Sequence, residues 1–123
     1  MIVRLLKDVL GYSGFFSLRR LTVEHELFGG GMSVLLEREV LERSDVAAAV
    51  LYDPVLDKFV MVEQFRAGAY AAGFDPWLPD IVAGRIETGQ SPMETIVREI
   101  KEESGLTPLA VEPIGSYLTA PHL

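Results

Sequence analysis

Ser91-Pro92-Met93-Glu94 opens a helix in local chemistry, and Gly105 closes it. A serine before the first turn can cap the exposed N–H groups, proline suits the first helical position, and a glutamate three residues after the serine completes a capping box. Glycine adopts the left-handed conformation that ends a helix without steric penalty. The spacing predicts a helix over Pro92–Ser104. On it Glu99, Glu102 and Glu103 fall at i, i+3 and i+4, so three carboxylates share one face. They crowd the C-terminal half, where the helix dipole disfavours negative charge. Taken alone, such a face is more often plain solvated surface. Where something compensates the charge, a hard divalent cation is the natural partner, because Mg²⁺ and Mn²⁺ prefer oxygen ligands shared with substrate phosphates.

The residues around this face change the reading. Gly84, Arg98, Glu99, Ile100, Glu102, Glu103, Gly105 and Leu106 fall in register with the Nudix box, in which a glycine is followed at fixed spacing by Arg-Glu-aliphatic-x-Glu-Glu-x-Gly-aliphatic. The segment therefore resembles the Nudix hydrolase family. One position departs, since Gln90 occupies the place of the first box glutamate. Outside the box, Glu63-Gln64-Phe65-Arg66, the stretch Pro76 to Gly84, Gly14 to Leu18 and Leu36 to Glu39 are similar to segments of the ADP-ribose pyrophosphatase subgroup. Asp80 is a second departure, as that subgroup usually has glutamate there.

The resemblance implies roles for individual residues. Glu99 and Glu103 match metal-binding glutamates, and the backbone carbonyl of Ala83 matches a third ligand. Glu102 matches a glutamate beside the metals, and with Glu103 and Arg98 it makes the implied catalytic set. Arg98 matches an arginine that orients carboxylates, including the one replaced by Gln90. A neutral glutamine can still accept from Arg98 but without the charge-assisted part, so weaker order is expected there, not loss of metal. Phe15, Arg38 and Arg66 match residues that hold the adenine, the first two reaching it from a partner subunit. An aromatic face and guanidinium groups suit a flat base. For each of these three the ordinary alternative is a core aromatic or a surface charge.

The implied fold is α/β: a Nudix-type mixed-sheet α/β/α sandwich in 45–123, preceded by a small N-terminal β-strand dimerisation region in 1–44. The family's sandwich continues beyond Leu123 with further strands, a second helix and a catalytic glutamate, so the C-terminal part is expected to be missing. Thr119 to Leu123 resembles the start of the following loop, and a lone histidine such as His122 is more often a loop residue than a base.

Composition narrows the remaining classes. In 123 residues, 49% hydrophobic, there is enough apolar side chain for a core and little room for disorder. The net charge of −7 argues against a general nucleic-acid surface, though not against a nucleotide substrate, because bound cations make an acidic site attractive to phosphate. No apolar run approaches membrane-spanning length, MIVRLLKDVL is too short and mixed for a signal peptide, and the lack of cysteine excludes disulfides and thiolate sites. A cytoplasmic protein is the simplest account.

Strands are expected over Ser17 to Phe28 and Met32 to Leu41, joined by Gly29-Gly30-Gly31. Further strands are expected over Val46 to Tyr52, Lys58 to Arg66, Trp77 to Ala83 and Ala110 to Leu118. Gly68 to Phe74 reads as loop, and residues 37–45 as a solvated edge. The functional expectation is Mg²⁺- or Mn²⁺-dependent hydrolysis of ADP-ribose, or a related nucleoside diphosphate sugar, to AMP and ribose 5-phosphate. The alternatives are a GDP-mannose-type pyrophosphatase and a catalytically silent dimerisation or metal-binding module.

Overall fold

The computed structural model describes residues 1–121; His122 and the end of the expected loop lie outside them. The chain divides into two compact units: Met1–Arg43 with the segment from Gly115, and Ser44–Ile114.

The first unit is an antiparallel sheet of β1 (Val3–Ser13), β2 (Ser17–His25) and β3 (Leu36–Glu42), in the order β1-β2-β3. β1 had no counterpart among the expected strands. Its pairing with β2 shifts register between Leu5 and Lys7 and again between Leu10 and Tyr12, and each irregularity breaks the period-two pattern by which a strand is read. The glycine turn is present, with Gly30 and Gly31 at φ of 85° and 81°. Met32 makes only an isolated bridge to Glu26, however, and β3 begins at Leu36. Glu37, Arg38, Glu39 and Glu42 are exposed along β3, as expected of a solvated edge. Arg19 in the central strand donates to Asp8 of β1 and to Glu42 of β3, tying the three strands together.

The second unit contains β4 (Val46–Ala49), β5 (Leu51–Asp53), β6 (Lys58–Val60), β7 (Val62–Phe65), α1 (Ala67–Ala71), β8 (Trp77–Asp80), β9 (Val82–Arg85) and α2 (Pro92–Ser104). All its pairings are antiparallel: β4 with β9, β5 with β6, β7 with β8. Three expected strands are each split, at Val50, Met61 and Ile81. Each split is where the chain leaves one partner strand for another.

Two other expectations are corrected. The loop assigned to Gly68 to Phe74 begins with the short helix α1, formed by an alanine-rich run and followed by Gly73 at φ 80°. Ala110 to Leu118 forms no strand among the described residues; Leu109, Ile114, Tyr117 and Leu118 are highly exposed. A strand exists only by pairing, none of the described strands pairs with this segment, and Pro113 lacks the N–H that a ladder needs.

The core of the second unit is small. Ala47, Val82, Ile96 and Ile100 are buried, with Ala49, Leu51, Val62, Ile86 and Val111 packed around them. α2 thus lays Ile96 and Ile100 onto β4 and β9. Its ends follow the sequence: Ser91 Oγ accepts from the Glu94 N–H, the Glu94 carboxylate accepts from the Ser91 N–H at 2.9 Å, and Gly105 closes the helix at φ 73°. Among the described residues no helix is long and apolar enough to cross a membrane.

Candidate functional site

Ile96 and Ile100 anchor α2 to β9, and the next positions on that side, Glu99 and Glu103, are carried against the β9 backbone. Glu103 Oε2 accepts from the Ala83 N–H at 3.3 Å, and Glu103 Oε1 accepts from Gln64 Nε2 of β7 at 2.6 Å. Glu99 lies over Gly84, where an added Cβ would overlap its Cγ, Cδ and Oε1. The glycine is therefore required by close approach of the acid, not by its backbone angle.

The β4–β9 ladder explains why Ala83 can face the helix acids. The Ile86 N–H donates to the Asp45 carbonyl, and pairs along an antiparallel ladder alternate between bonded and non-bonded. Counting from there, Ala47↔Gly84 is a bonded pair and Ala48↔Ala83 is not. Ala83 thus turns both its N–H and its C=O away from β4. The N–H meets Glu103, and the carbonyl shares that edge.

Arg98 joins two of the helix acids. Its Nη2 lies 2.9 Å from Glu99 Oε1 and its Nη1 donates to Glu102 Oε2 at 2.8 Å. Desolvation alone would lower the Arg98 pKa, but the charges of Glu99 and Glu102 and their hydrogen bonds to the guanidinium together outweigh it, and the net shift is upward. Gln90 instead accepts from the buried Thr95 hydroxyl at 3.1 Å. The guanidinium is taken up by the two helix glutamates, and Gln90 secures the start of α2. Glu102 is the most exposed of these groups, at 57%.

Arg66 follows β7 and is paired with Asp80, its Nε 3.0 Å from Oδ2, while Asp80 Oδ1 accepts from the Ile81 N–H. Phe15 and Arg38 belong to the first unit. Phe15 sits at the β1–β2 turn in an edge-on contact with Phe16 (ring centroids 4.9 Å apart), and is 72% exposed. Arg38 lies on β3 opposite Leu21 and donates to the Glu37 carbonyl. Ser17↔Glu42 is the pair next to that turn, so Arg38 sits four positions further along β3, roughly 13 Å away, and one copy of the sheet does not bring the two residues together.

Of the sequence-derived positions, Ala83, Arg98, Glu99, Glu102 and Glu103 are gathered at one end of α2. Among the described residues no cluster of three or more histidine, cysteine or acidic side chains converges as a metal cage. What is gathered there is two carboxylates, those of Glu99 and Glu103, beside the Ala83–Gly84 backbone. Gln64 of β7, which donates to Glu103, was not among the sequence-derived site positions; the contact spans 39 positions of sequence, and nothing local to either residue marks it.

The NUDIX domain model matches residues 42–122, more than half of the chain. The chain belongs to the Nudix family. Its Nudix segment contains the whole α2–β9 arrangement, whereas Phe15 and Arg38 precede it. The chain is 43% identical over 110 residues to the ADP-ribose pyrophosphatase of Escherichia coli, covering 89% of this chain and 53% of the relative. It is 31% identical over 120 residues to the GDP-mannose pyrophosphatase of Cronobacter sakazakii, covering 97% and 62%. A solved structure described as an ADP compounds hydrolase superposes with a TM-score of 0.64 at 19% identity, over 89% of this chain and 55% of that one, which establishes the shared Nudix fold. The chain spans about half the length of the relatives it matches.

Proposed function

We propose that this Nudix chain hydrolyses the diphosphate of ADP-ribose, or of a related nucleoside diphosphate sugar, with the help of Mg²⁺ or Mn²⁺. The observation that carries the reading is the convergence of Glu99 and Glu103 on the Ala83–Gly84 backbone. Two carboxylates and a carbonyl are hard oxygen donors of the kind that hold Mg²⁺ jointly with substrate phosphates. The Cβ-free surface at Gly84 and the outward turn of the Ala83 carbonyl fit that role. A bound divalent ion lowers the pKa of water and stabilises charge on the phosphoryl oxygens.

The chain's own residues supply the rest. Arg98 holds Glu99 and Glu102 in fixed relation. Glu102, being exposed, is the acid placed to take a proton from the attacking water. Water adds to one phosphorus, the bond from that phosphorus to the bridging oxygen breaks, and the water oxygen stays on the attacked phosphate. The bridging oxygen leaves on the other phosphate and receives the proton taken from water, which gives AMP and ribose 5-phosphate. In this reading Arg66, steadied by Asp80, lines the base pocket, and Phe15 and Arg38 reach it from the second subunit of a homodimer. The dimer is supported by β1, an edge strand exposed along its whole length, with Leu5, Leu6, Leu10 and Tyr12 each more than half exposed. The same reading places the enzyme in the cytoplasm.

The test is ADP-ribose hydrolysis by the purified chain with each metal, products separated by chromatography, beside Glu103→Gln. AMP and ribose 5-phosphate from the parent and none from Glu103→Gln is the expected result; turnover unaffected by the substitution would sink the assigned site. The resemblance to a GDP-mannose pyrophosphatase favours a second reading, a sugar nucleotide with another base. A higher kcat/KM for GDP-mannose than for ADP-ribose would select it. Sedimentation and cell fractionation test the dimer and the location.

A further inference from the structure

We propose that Gln64 is a positioning residue for Glu103, holding one carboxylate oxygen so that the acid is presented at the Ala83 edge in the orientation a cation needs. The proposal rests on Glu103 being a metal ligand. Gln64 lies on β7, where the partly buried Val62 and Gln64 alternate with the exposed Glu63 and Phe65. Val62 packs on the core beneath α2, so a side chain two residues on emerges beside the same helix one step further out. There its Nε2 donates to Glu103 Oε1 at 2.6 Å, bridging 39 positions of sequence.

A neutral amide donating to a carboxylate makes a short, charge-assisted bond. With Oε1 held by β7 and Oε2 against the β9 N–H, Glu103 is fixed from two different strand pairs. Without Gln64 one oxygen keeps only a long bond to Ala83, and the carboxylate can rotate about its side-chain torsions. A glutamine suits this place because it adds a donor without adding charge beside the glutamates. Groups that hold a metal ligand in this way commonly set metal affinity by about ten- to a hundredfold.

The experiment is Mn²⁺ titration of the whole chain followed by electron paramagnetic resonance, with thermal melts recorded without metal. Gln64→Leu and Gln64→Met both remove the donor while keeping side-chain bulk, so one remains informative if the other fails to fold. Val62→Ala, on the same face, weakens packing without touching Glu103 and serves as the structural control. The expected result is Mn²⁺ binding weakened about tenfold or more in the Gln64 variants and unchanged in Val62→Ala. Unchanged binding in folded Gln64 variants, or equal weakening in Val62→Ala, overturns the proposal. Glu103→Gln separates the two levels: if it abolishes Mn²⁺ binding while the Gln64 variants retain it, only the positioning role fails. If it too leaves binding intact, the metal site falls and the positioning role falls with it.

Discussion

The Glu99 side chain occupies the space above Gly84 that any other residue's Cβ would fill. The contact joins α2 to β9 at the point where the helix acids meet the strand backbone. It makes Gly84 a requirement of the site instead of a turn residue.

Gly84→Ala should therefore displace Glu99. The expected cost is about 1–3 kcal/mol from overpacking, together with a marked loss of Mn²⁺ affinity. Gly68→Ala, where nothing lies within 4 Å of the added carbon, should leave both unchanged or slightly raise stability. Denaturant unfolding and metal titration of the two variants check this.

Ser91→Ala removes the side-chain acceptor for the Glu94 N–H. A loss of about 1 kcal/mol is expected, most of it restored in Ser91→Thr, whose hydroxyl can both accept from the Glu94 N–H and donate to its carboxylate. Unfolding midpoints of the three proteins decide the matter; equal midpoints would mean that tertiary packing alone holds the helix start.

Glu94 also carries a pH dependence. The Ser91 backbone N–H, and then its hydroxyl, hold the Glu94 carboxyl below its ordinary value of 4.5. A depressed folded-state pKa means stability that is present above the unfolded value and lost as pH falls through the folded one. Melting temperature should thus decline below pH 4.5, and Glu94→Gln should decline less steeply over the same range. Parallel melts from neutral to acidic pH would show the difference in slope.

Asp80→Ala should release Arg66, which it holds through the Arg66 Nε at 3.0 Å. Both side chains are about two-fifths exposed, so little stability is expected to depend on the pair. The effect should appear as a higher KM for ADP-ribose with kcat nearly unchanged, the pattern of a lost binding contact. Steady-state kinetics measure it, and a fall in kcat at constant KM would contradict it.

The features legible in the chain are those whose causes are local. Ser91, Pro92, Glu94 and Gly105 set the ends of α2 because capping acts over three or four residues. The shared face of Glu99, Glu102 and Glu103 follows from helix periodicity in the same way. What lies across the fold was not legible. The three expected strands split at Val50, Met61 and Ile81 because each half pairs with a different neighbour, and an apolar run does not record its partner. Ala110 to Leu118 has strand-like composition, and none of the described strands pairs with it.

The same division runs through the site. Helix geometry alone determined that Glu99 and Glu103 face one way. Only the tertiary structure decided that they face Ala83 and Gly84, that Gln64 takes one oxygen of Glu103, and that Arg98 joins Glu99 to Glu102 while Gln90 turns to Thr95. A one-turn repeat of carboxylates can be counted along a chain, because each residue's direction follows from its own backbone. The partner on another strand depends on register and on which ladder positions are left unbonded, and these exist only after the strands have paired.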